Sequence, residues 1–593
     1  MEKRGYQENN YKVSDIYQGG YSSPPSENYI TAGSLGMTTD PRSANIIQEV
    51  SSKLASGVKQ IELATVSPEI FDSIPKQYFK EVNRMAKLTG INVSLHGPVI
   101  DVSGIDQRSG FSETNREAAE RKVAETLIRS HDLNPDGNMT VNFHSAEGIP
   151  GSEFLPPSKR KGETEYTRMI AVNRESGKLI PLESEKQYYL EKKEPIILTP
   201  EHRIKSVNET EWDNSVSQLI FSKERADEIL ENNRPFVQHI LPEIISGKLN
   251  PNNLDEPQKA RYKHFLNAKT YLDDVHKNIT SLYNKAQEFG DAEQKGILNN
   301  LAEQFRKDIG NGKDFFSYSE SMGDFLHNLK AHDVTPQMYV PLEDFATEQS
   351  AKTFGNAAWK SYKEFKDKAP VLVIENPPAG FALSTGEDIK NIVEASRKQF
   401  AQNAVKGGMS EKEAERNAEK FIGATWDVGH INMLRKYGYS DEEIIKETET
   451  VAPLVKHIHL SDNFGFEHTE LPMGMGNVPL NEMMQKISGK IGEEGFKDVK
   501  KIIEAGQWWQ HFRTSPFQES LEAMGSSIYG MKMAPYWSQA PGLYQGYFSG
   551  MEGEWLPQKN YETFGTTFSR LPKDLGGQMP GAAGSRMSGR PME

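Results

Sequence analysis

The stretch KHIHLSDNFGFEHTELPMGMG (residues 456–476) joins a strand pattern to a loop rich in possible metal ligands. The β-branched and apolar run LVKHIHL contains His459. The loop after it carries four further candidates: Asp462, Glu467, His468 and Glu470. His and carboxylate side chains clustered just after a strand are typical of a metal site that has no cysteine ligands. One such loop taken alone is better explained as a solvated acidic turn, so the metal hypothesis depends on whether other strand ends repeat the pattern.

Strand-like apolar runs alternate with helical patterns on both sides of a long polar block. The strand candidates are 29–33, 58–65, 91–95, 139–143, 370–375, 422–427, 455–460 and 499–504. Between them, apolar residues recur at the spacing of amphipathic helices. Alternation of strands and helices with short connections predicts a parallel sheet of the α/β class. The number of repeats predicts a closed (β/α)8 TIM barrel.

The chain divides into five predicted segments. Residues 1–28 form a polar N-terminal arm, 29–147 the first half of the TIM barrel, and 341–528 its second half. Residues 148–340, rich in Lys, Glu and Asn, are predicted to be a large, mainly helical insertion after strand 4. The insertion is either a lid or partner-binding module, or a decoration without a catalytic role. The irregular C-terminal tail, 529–593, is rich in Gly, Pro and aromatic residues, and part of it is expected to be disordered.

The amino-acid composition excludes some kinds of metal site and disfavours some classes of protein. The 593 residues include no cysteine, which excludes disulfides, thiolate nucleophiles and Cys-type zinc sites, so any metal must bind to His and carboxylate ligands. A net charge of −14 disfavours broad non-specific binding to nucleic acids. No apolar run approaches the roughly 18 residues of a membrane span, and residues 1–28 lack the apolar core of a signal peptide. A cytoplasmic location without membrane contact is therefore expected.

Residues with metal-binding chemistry recur at the carboxyl ends of successive predicted strands. In a TIM barrel these ends meet on one face, where the active site lies. The set consists of His96, His144, Glu375, Asp427, His430, His459, His468, Glu470 and Glu504. Any one of these histidines alone is better explained as a hydrogen-bonded core or surface residue. Carboxylates buried together, however, need cations to offset their charge, so the joint pattern predicts a metal site.

Several short motifs occur in an order that resembles a known superfamily. They are SLHGP, VNFHSA, VIENPP, WDVGH, HIHLSD, HTELPMGMG and IIEAG. Their order resembles the endonuclease IV and xylose isomerase-like TIM-barrel superfamily (AP endonuclease family 2) over residues 30–147 and 341–510. The block 148–340 and the tail lie outside the resemblance.

The resemblance implies up to three zinc ions. The first would be bound by His96, His144 and a bridging Glu375. The second would be bound by Glu375, Asp427, His459 and Glu504. The third would be bound by His430, His468 and Glu470. In this last group the two loop residues exchange the Asp and His positions of the family pattern, and Met475 stands where the family often has Glu.

This ligand set implies metal-dependent hydrolysis of a phosphodiester, with Zn²⁺ as the first choice of metal and Mn²⁺ as the second. Glu375 or Glu504 would orient the nucleophile, and Trp508 and Trp509 would stack on a base or sugar or pack against the tail. The expected partner is DNA with an abasic site, or a small sugar or phosphate substrate. The insertion and tail are candidate surfaces for oligomerisation or partner binding. The acidic charge and the lack of clearly basic DNA-grasping loops stand against AP endonuclease activity.

Two alternatives remain open. Related barrels are sugar isomerases or epimerases that bind one divalent ion through Glu, Asp, His and Glu, and Glu375, Asp427, His459 and Glu504 supply that set. In that case Glu375 and Glu504 would form the acid–base pair, and the other histidines would have no ligand role. The second alternative is a non-catalytic barrel scaffold. The intact ligand set argues against it.

Overall fold

The structure is a computed structural model that describes residues 34–54, 58–160, 165–188, 190, 194–311, 314–332, 334–505, 508, 516, 517 and 520. The predicted arm at 1–28, the strand candidate at 29–33, Trp509 and the tail at 529–593 lie outside the described residues. The described residues form two compact units. One contains those up to Val172, Ser176–Pro181 and those from Pro341 onward, and the other contains Asn173–Glu175 and Leu182–Val340.

The first unit contains a closed barrel of eight parallel strands, which confirms the predicted α/β fold. The strands are β1 Leu35–Thr38, β2 Gln60–Ala64, β3 Asn92–His96, β4 Thr140–His144, β5 Val371–Glu375, β6 Ile422–Asp427, β7 Val455–Leu460 and β8 Lys500–Ile503. Each strand pairs with the next along the chain, and β8 pairs with β1 to close the barrel. All carboxyl ends therefore meet on one face.

Strand β1 differs from the sequence expectation, which placed the first strand at 29–33. The strand that fills this position is Leu35–Thr38, and it contains Gly36. A side chain at Gly36 would lie 2.5 Å from Cδ1 of Ile502 and 2.7 Å from Cβ of Gln60, so only glycine permits this close approach. This close approach becomes visible only when the strands are assembled into the barrel.

Helices surround the barrel strands. They are Ile46–Leu54, Pro68–Ser73, Lys76–Thr89, Glu113–Ser130, Leu342–Phe365, Gly386–Lys406, Glu411–Phe421, Val428–Asn432, Asp441–Val451 and Leu480–Asp498, the last interrupted at Gly492. Local sequence accounts for their limits. Thr385 and Asp388 form a capping box at the start of Gly386–Lys406, and the buried residues Ile389, Val393 and Phe400 share one face of that helix.

The second unit is mainly helical and has its own apolar core. Its helices are Pro200–Asn232, Leu241–Ile245, Glu256–Phe289, Ala292–Asn311 and Phe315–Ala331. Asp255 and Gln258 form a capping box, and Val216, Leu272 and Leu326 are almost fully buried in the core. A short antiparallel pair, Glu185–Gln187 and Ile196–Leu198, precedes the helices. The predicted insertion 148–340 thus divides between the units, since residues 148–172 and 176–181 cluster with the barrel.

The interior of the barrel is polar near its middle. Glu62 on β2 contacts His457 on β7, and because these strands are not neighbours the contact crosses the barrel interior. Ser94, Asn142 and Thr425 are also buried. TIM-barrel interiors are usually filled with branched apolar side chains, so this polar layer calls for a chemical explanation. Separately, the described helices include none long and apolar enough to cross a membrane.

Candidate metal centre

The strand ends bring the predicted site residues together on one face of the barrel. β3, β4, β5 and β6 end on His96, His144, Glu375 and Asp427. Register pairs His144 with Glu375 and Asp427 with His459, so each pair lies at one level of the barrel. Glu504 follows β8 directly, and its backbone N–H donates to the carbonyl of Leu460. The parallel register is therefore what assembles the site.

Glu375 lies at the centre of the site and is fully buried. Its Oε2 atom lies 3.3 Å from Nε2 of His96 and 3.5 Å from Nε2 of His144, and it also accepts a hydrogen bond from Asn142. Its Oε1 atom lies 2.8 Å from Nδ1 of His459. The two oxygens of one carboxylate thus face different histidines, and His96, His459 and Glu504 also offer ligand atoms within 4.8 Å of one another.

A second group surrounds Nδ1 of His459. Besides Glu375, this nitrogen lies 2.8 Å from Oε2 of Glu504, although one N–H cannot donate well to both carboxylates. Glu375, Asp427, His459 and Glu504 offer ligand atoms that all lie within 4.8 Å of one another. The Nδ1 hydrogen bond goes to Oε1 of Glu375, so Oε2 of Glu504 has no hydrogen-bond partner among the described residues. Oδ2 of Asp427 has none among them either, and both oxygens are buried. Buried carboxylate oxygens left in this way fit a divalent cation.

One histidine of the first predicted group, His96, and one of the third, His430, are held so that one nitrogen faces the site. Nδ1 of His96 lies 2.9 Å from the carbonyl of Gly97, and Nδ1 of His430 lies 2.7 Å from that of Asn376. A carbonyl oxygen only accepts, so each Nδ1 carries a proton and donates it. Nε2 of each ring is then left to face the site, as in histidines that bind metals.

The third predicted group is looser than the other two. Nε2 of His430 lies 2.9 Å from Nε2 of His468 and 3.7 Å from Oδ2 of Asp427. Nε2 of His468 lies 4.0 Å from Oε1 of Glu470. The groups of three or more ligand residues within 4.8 Å, searched over the described part of the chain, include none of His430, His468 and Glu470. The side chain of His468 is also 37% exposed.

Asp462 organises the loop that carries His468 and Glu470. Its Oδ1 atom accepts hydrogen bonds from the backbone N–H groups of Asn463 and Val478, and its Oδ2 atom accepts one from Gly474. The backbones of Asp462 and Leu471 exchange two further hydrogen bonds. Asp462 is therefore a structural anchor of the loop.

The remaining predicted residues are Glu467, Trp508 and Trp509. Glu467 in the same loop is exposed. Trp508 is only 3% exposed, and its backbone N–H donates to the carbonyl of Ala505. Trp509 lies outside the described residues. Stacking of Trp508 and Trp509 on a substrate stays a prediction.

Sequence reasoning missed two residues beneath the site, Glu62 and His457. Oε1 of Glu62 lies 2.8 Å from Nε2 of His459, and Oε2 lies 3.0 Å from Nε2 of His457 and accepts a hydrogen bond from Ser94. Glu62, His457 and His459 also form a group of ligand atoms within 4.8 Å. One signal was present in the sequence: Glu62 stands between the apolar residues Ile61 and Leu63 in a strand whose last four residues are buried.

Burial and neighbouring charges shift the pKa values of the site in opposite directions. Burial raises the pKa of Asp427 well above its ordinary value, and the charges of Glu504 and Glu375 raise it further. Burial alone would lower the pKa of His459, but the surrounding carboxylates outweigh burial and raise it well above its ordinary value. Burial lowers the pKa of His430 to about 4. A neutral His430 has a lone pair available for a metal.

Comparisons with known proteins give only distant likenesses. No protein-family model matches the chain. A protein of Methanocaldococcus jannaschii described as "Uncharacterized protein MJ1311" is 29% identical over 81 residues, which span 14% of this chain and only 26% of that relative. A solved structure of a D-tagatose 3-epimerase-like protein has a TM-score of 0.33 and 12% identity, and covers 84% of this chain and 100% of its own. The structure of an L-ribulose 3-epimerase has a TM-score of 0.35 and 8% identity, and covers 87% of this chain and 100% of its own. None of these likenesses is strong enough to assign an activity.

Proposed function

We propose that this chain is a metal-dependent hydrolase of phosphate esters that uses two or more divalent ions, as an endonuclease IV-like phosphodiesterase would. The observation that carries the proposal is that the two oxygens of Glu375 face different histidines. Oε2 of Glu375 faces His96 and His144, whereas Oε1 faces His459. A carboxylate whose oxygens face separate ligand groups is suited to bridge two metal ions.

His96 and His144 favour hydrolysis over isomerisation. A single metal among Glu375, Asp427, His459 and Glu504 would leave both histidines without a ligand role. Nδ1 of His96 donates to the carbonyl of Gly97, so Nε2 is the nitrogen that faces Oε2 of Glu375 at 3.3 Å. Burial alone would lower the pKa of His96, but the hydrogen bond and charge of Glu375 raise it to about 9, so without a metal a proton lies between these two atoms. A metal ion bound here would take the place of that proton.

Zinc is the metal that the donor set favours, with manganese as the second choice. The ligands are imidazole nitrogens and carboxylate oxygens, and thiolates are excluded because the chain has no cysteine. When bound, the divalent ions would supply hydroxide near neutral pH and would stabilise the attacking and leaving oxygens of a phosphate ester. A third ion at His430, His468 and Glu470 would be the weakest bound, because this group is the most open.

Glu504 is the carboxylate best suited to orient the attacking water. Its side chain is 19% exposed, whereas that of Glu375 is fully buried. A general base must reach the proton that it accepts, so the more exposed Glu504 is the better placed of the two. Glu375 would therefore bind the two metal ions, and Glu504 would contact the attacking water.

The second candidate is a sugar isomerase or epimerase with one divalent ion. The complete four-residue group of Glu375, Asp427, His459 and Glu504 favours it, since this group needs no further ligand. Glu375 and Glu504 both lie 2.8 Å from Nδ1 of His459, and would move protons at carbons beside a carbonyl. This candidate gives no role to His96 and His144.

An assay with two substrates separates the candidates. Zinc-loaded protein is incubated with a duplex oligonucleotide that contains one abasic site, and separately with free ketose sugars. Nicking of the abasic duplex that E504Q loses, and that the exposed-loop variant E467Q keeps, supports hydrolysis. Sugar epimerisation without nicking contradicts hydrolysis and supports the second candidate.

A further inference from the structure

Glu62 is a buried carboxylate that neither candidate function uses. It is 0% exposed, lies on β2 inside the barrel, and belongs to none of the predicted ligand groups. Burying an ionised carboxylate without partners costs several kcal/mol, so its presence implies compensating interactions. Its partners are His459, His457 and Ser94.

His459 is held on both sides of its ring. Nδ1 faces the candidate metal centre, where it lies 2.8 Å from Glu375 and from Glu504. Nε2 faces away from that centre and lies 2.8 Å from Oε1 of Glu62. The ring is fully buried, and Glu62 supplies an acceptor for Nε2 inside the barrel.

We propose that Glu62 is a positioning residue that accepts a hydrogen bond from Nε2 of His459 and so presents Nδ1 to the metal. This inference rests on the proposed function only in requiring a metal at His459, which both candidates share. A carboxylate behind a metal-binding histidine fixes which nitrogen carries the proton, fixes the ring orientation and raises the basicity of the ligand nitrogen. Ser94, which donates to Oε2 at 2.8 Å, holds the carboxylate in place in turn.

The geometry favours this role over direct metal binding by Glu62. Glu62, His457 and His459 lie close enough together to hold an ion. An ion there would take Nε2 of His459, the ring whose Nδ1 already lies 2.8 Å from both Glu375 and Glu504. Oε2 of Glu62 is also occupied by the hydroxyl of Ser94. Glu62 therefore acts through His459.

The test compares E62Q with E343Q in zinc titrations against a competing chelator. Gln keeps the shape of Glu62 but removes its charge, so zinc affinity should fall roughly 10- to 100-fold. Glu343 is a matched control, because it is also buried in the barrel unit and also accepts a hydrogen bond from a serine. That serine is Ser152, which is not one of the site residues. E343Q should keep the wild-type affinity.

The outcomes are distinct. Wild-type zinc affinity in E62Q, or an equal loss in E343Q, would overturn the positioning role and leave the proposed function standing. A wild-type protein that binds no divalent metal would overturn the proposed function itself.

A second measurement uses only wild-type protein, in case E62Q does not fold. In a crystal structure of the zinc-loaded chain, Nδ1 of His459 should be the ligand atom, with Nε2 within hydrogen-bond distance of Glu62. Ligation through Nε2, or an ion between Glu62 and His457, would contradict the inference.

Discussion

Oε1 of Glu375 lies 2.8 Å from Nδ1 of His459, although the two residues are 84 positions apart in the chain. The contact joins the carboxyl ends of β5 and β7. It places a fully buried carboxylate and a fully buried imidazole at the centre of one barrel face. Because Oε2 of the same carboxylate faces His96 and His144, Glu375 links the two ligand groups on which the proposed chemistry depends.

Replacing Glu375 with Gln tests this link. The amide has no negative charge and cannot bridge two cations as a carboxylate does, so E375Q should lose at least one bound metal and nearly all hydrolytic activity. Elemental analysis of the purified variant and the abasic-duplex assay measure the two effects. A variant with full metal content and full activity would show that Glu375 has been misassigned.

Replacing both His96 and His144 with Asn distinguishes a multinuclear site from a mononuclear one. The first ligand group is removed, while Glu375, Asp427, His459 and Glu504 remain. We expect the metal content to fall by about one ion per chain and hydrolysis to be lost, because two ions are needed to stabilise both reacting oxygens. His264, an exposed histidine of the second unit, gives the matched control H264N. An unchanged metal content in the double variant would favour the isomerase.

Replacing His468 with Gln tests the third ligand group. This group is the most exposed and the most widely spaced, so its ion should be the first that a chelator removes. H468Q should lose that ion while the ions at Glu375 are kept, and E467Q in the same loop should behave as wild type. The measurement is the metal released over time after chelator is added. Identical release curves for H468Q and wild type would argue against a third site.

Stability of the barrel should depend on pH through Glu343. Burial raises the pKa of this carboxyl to about 7, and the hydrogen bonds from Ser152 offset only part of the effect. A folded-state pKa above the unfolded value favours the protonated form, so the stabilisation is complete below the ordinary value of 4.5 and is lost as pH rises through about 7. E343Q should therefore show a smaller fall in the free energy of unfolding between pH 5 and pH 8, measured by urea unfolding.

Burial also raises the pKa of Glu447 to about 7, so Glu447 likewise lowers the free energy of unfolding as pH rises. E343Q should therefore remove only part of the pH dependence. E467Q, which changes an exposed glutamate, should follow the wild-type curve. Parallel curves for wild type and E343Q would contradict the assignment of Glu343.

The barrel was predictable because its strands are buried on both faces and are separated by amphipathic helices, which leaves a strong pattern in the sequence. The site was predictable as a set, because parallel strands bring their carboxyl ends together whatever their separation in the chain. The position of β1 was not predictable in this way. Gly36 allows the close approach of Ile502, and this contact is visible only in the assembled barrel.

Glu62 was missed for a different reason. Its partner His459 lies 397 positions away, on a strand that is not a neighbour of β2. Strand patterns predict which residues are buried, but they do not predict which buried side chains meet across a barrel. The same limit applies to the nitrogen that each histidine presents, because it depends on backbone carbonyls such as those of Gly97 and Asn376.

The most direct test of the central claim is anomalous diffraction from crystals of the wild-type protein loaded with zinc. We predict at least two zinc peaks about 3.5–4 Å apart, one on each side of the Glu375 carboxylate. The first should be bound by His96 and His144, and the second by Asp427, His459 and Glu504. A single peak among Glu375, Asp427, His459 and Glu504, with none at His96 and His144, would contradict the account.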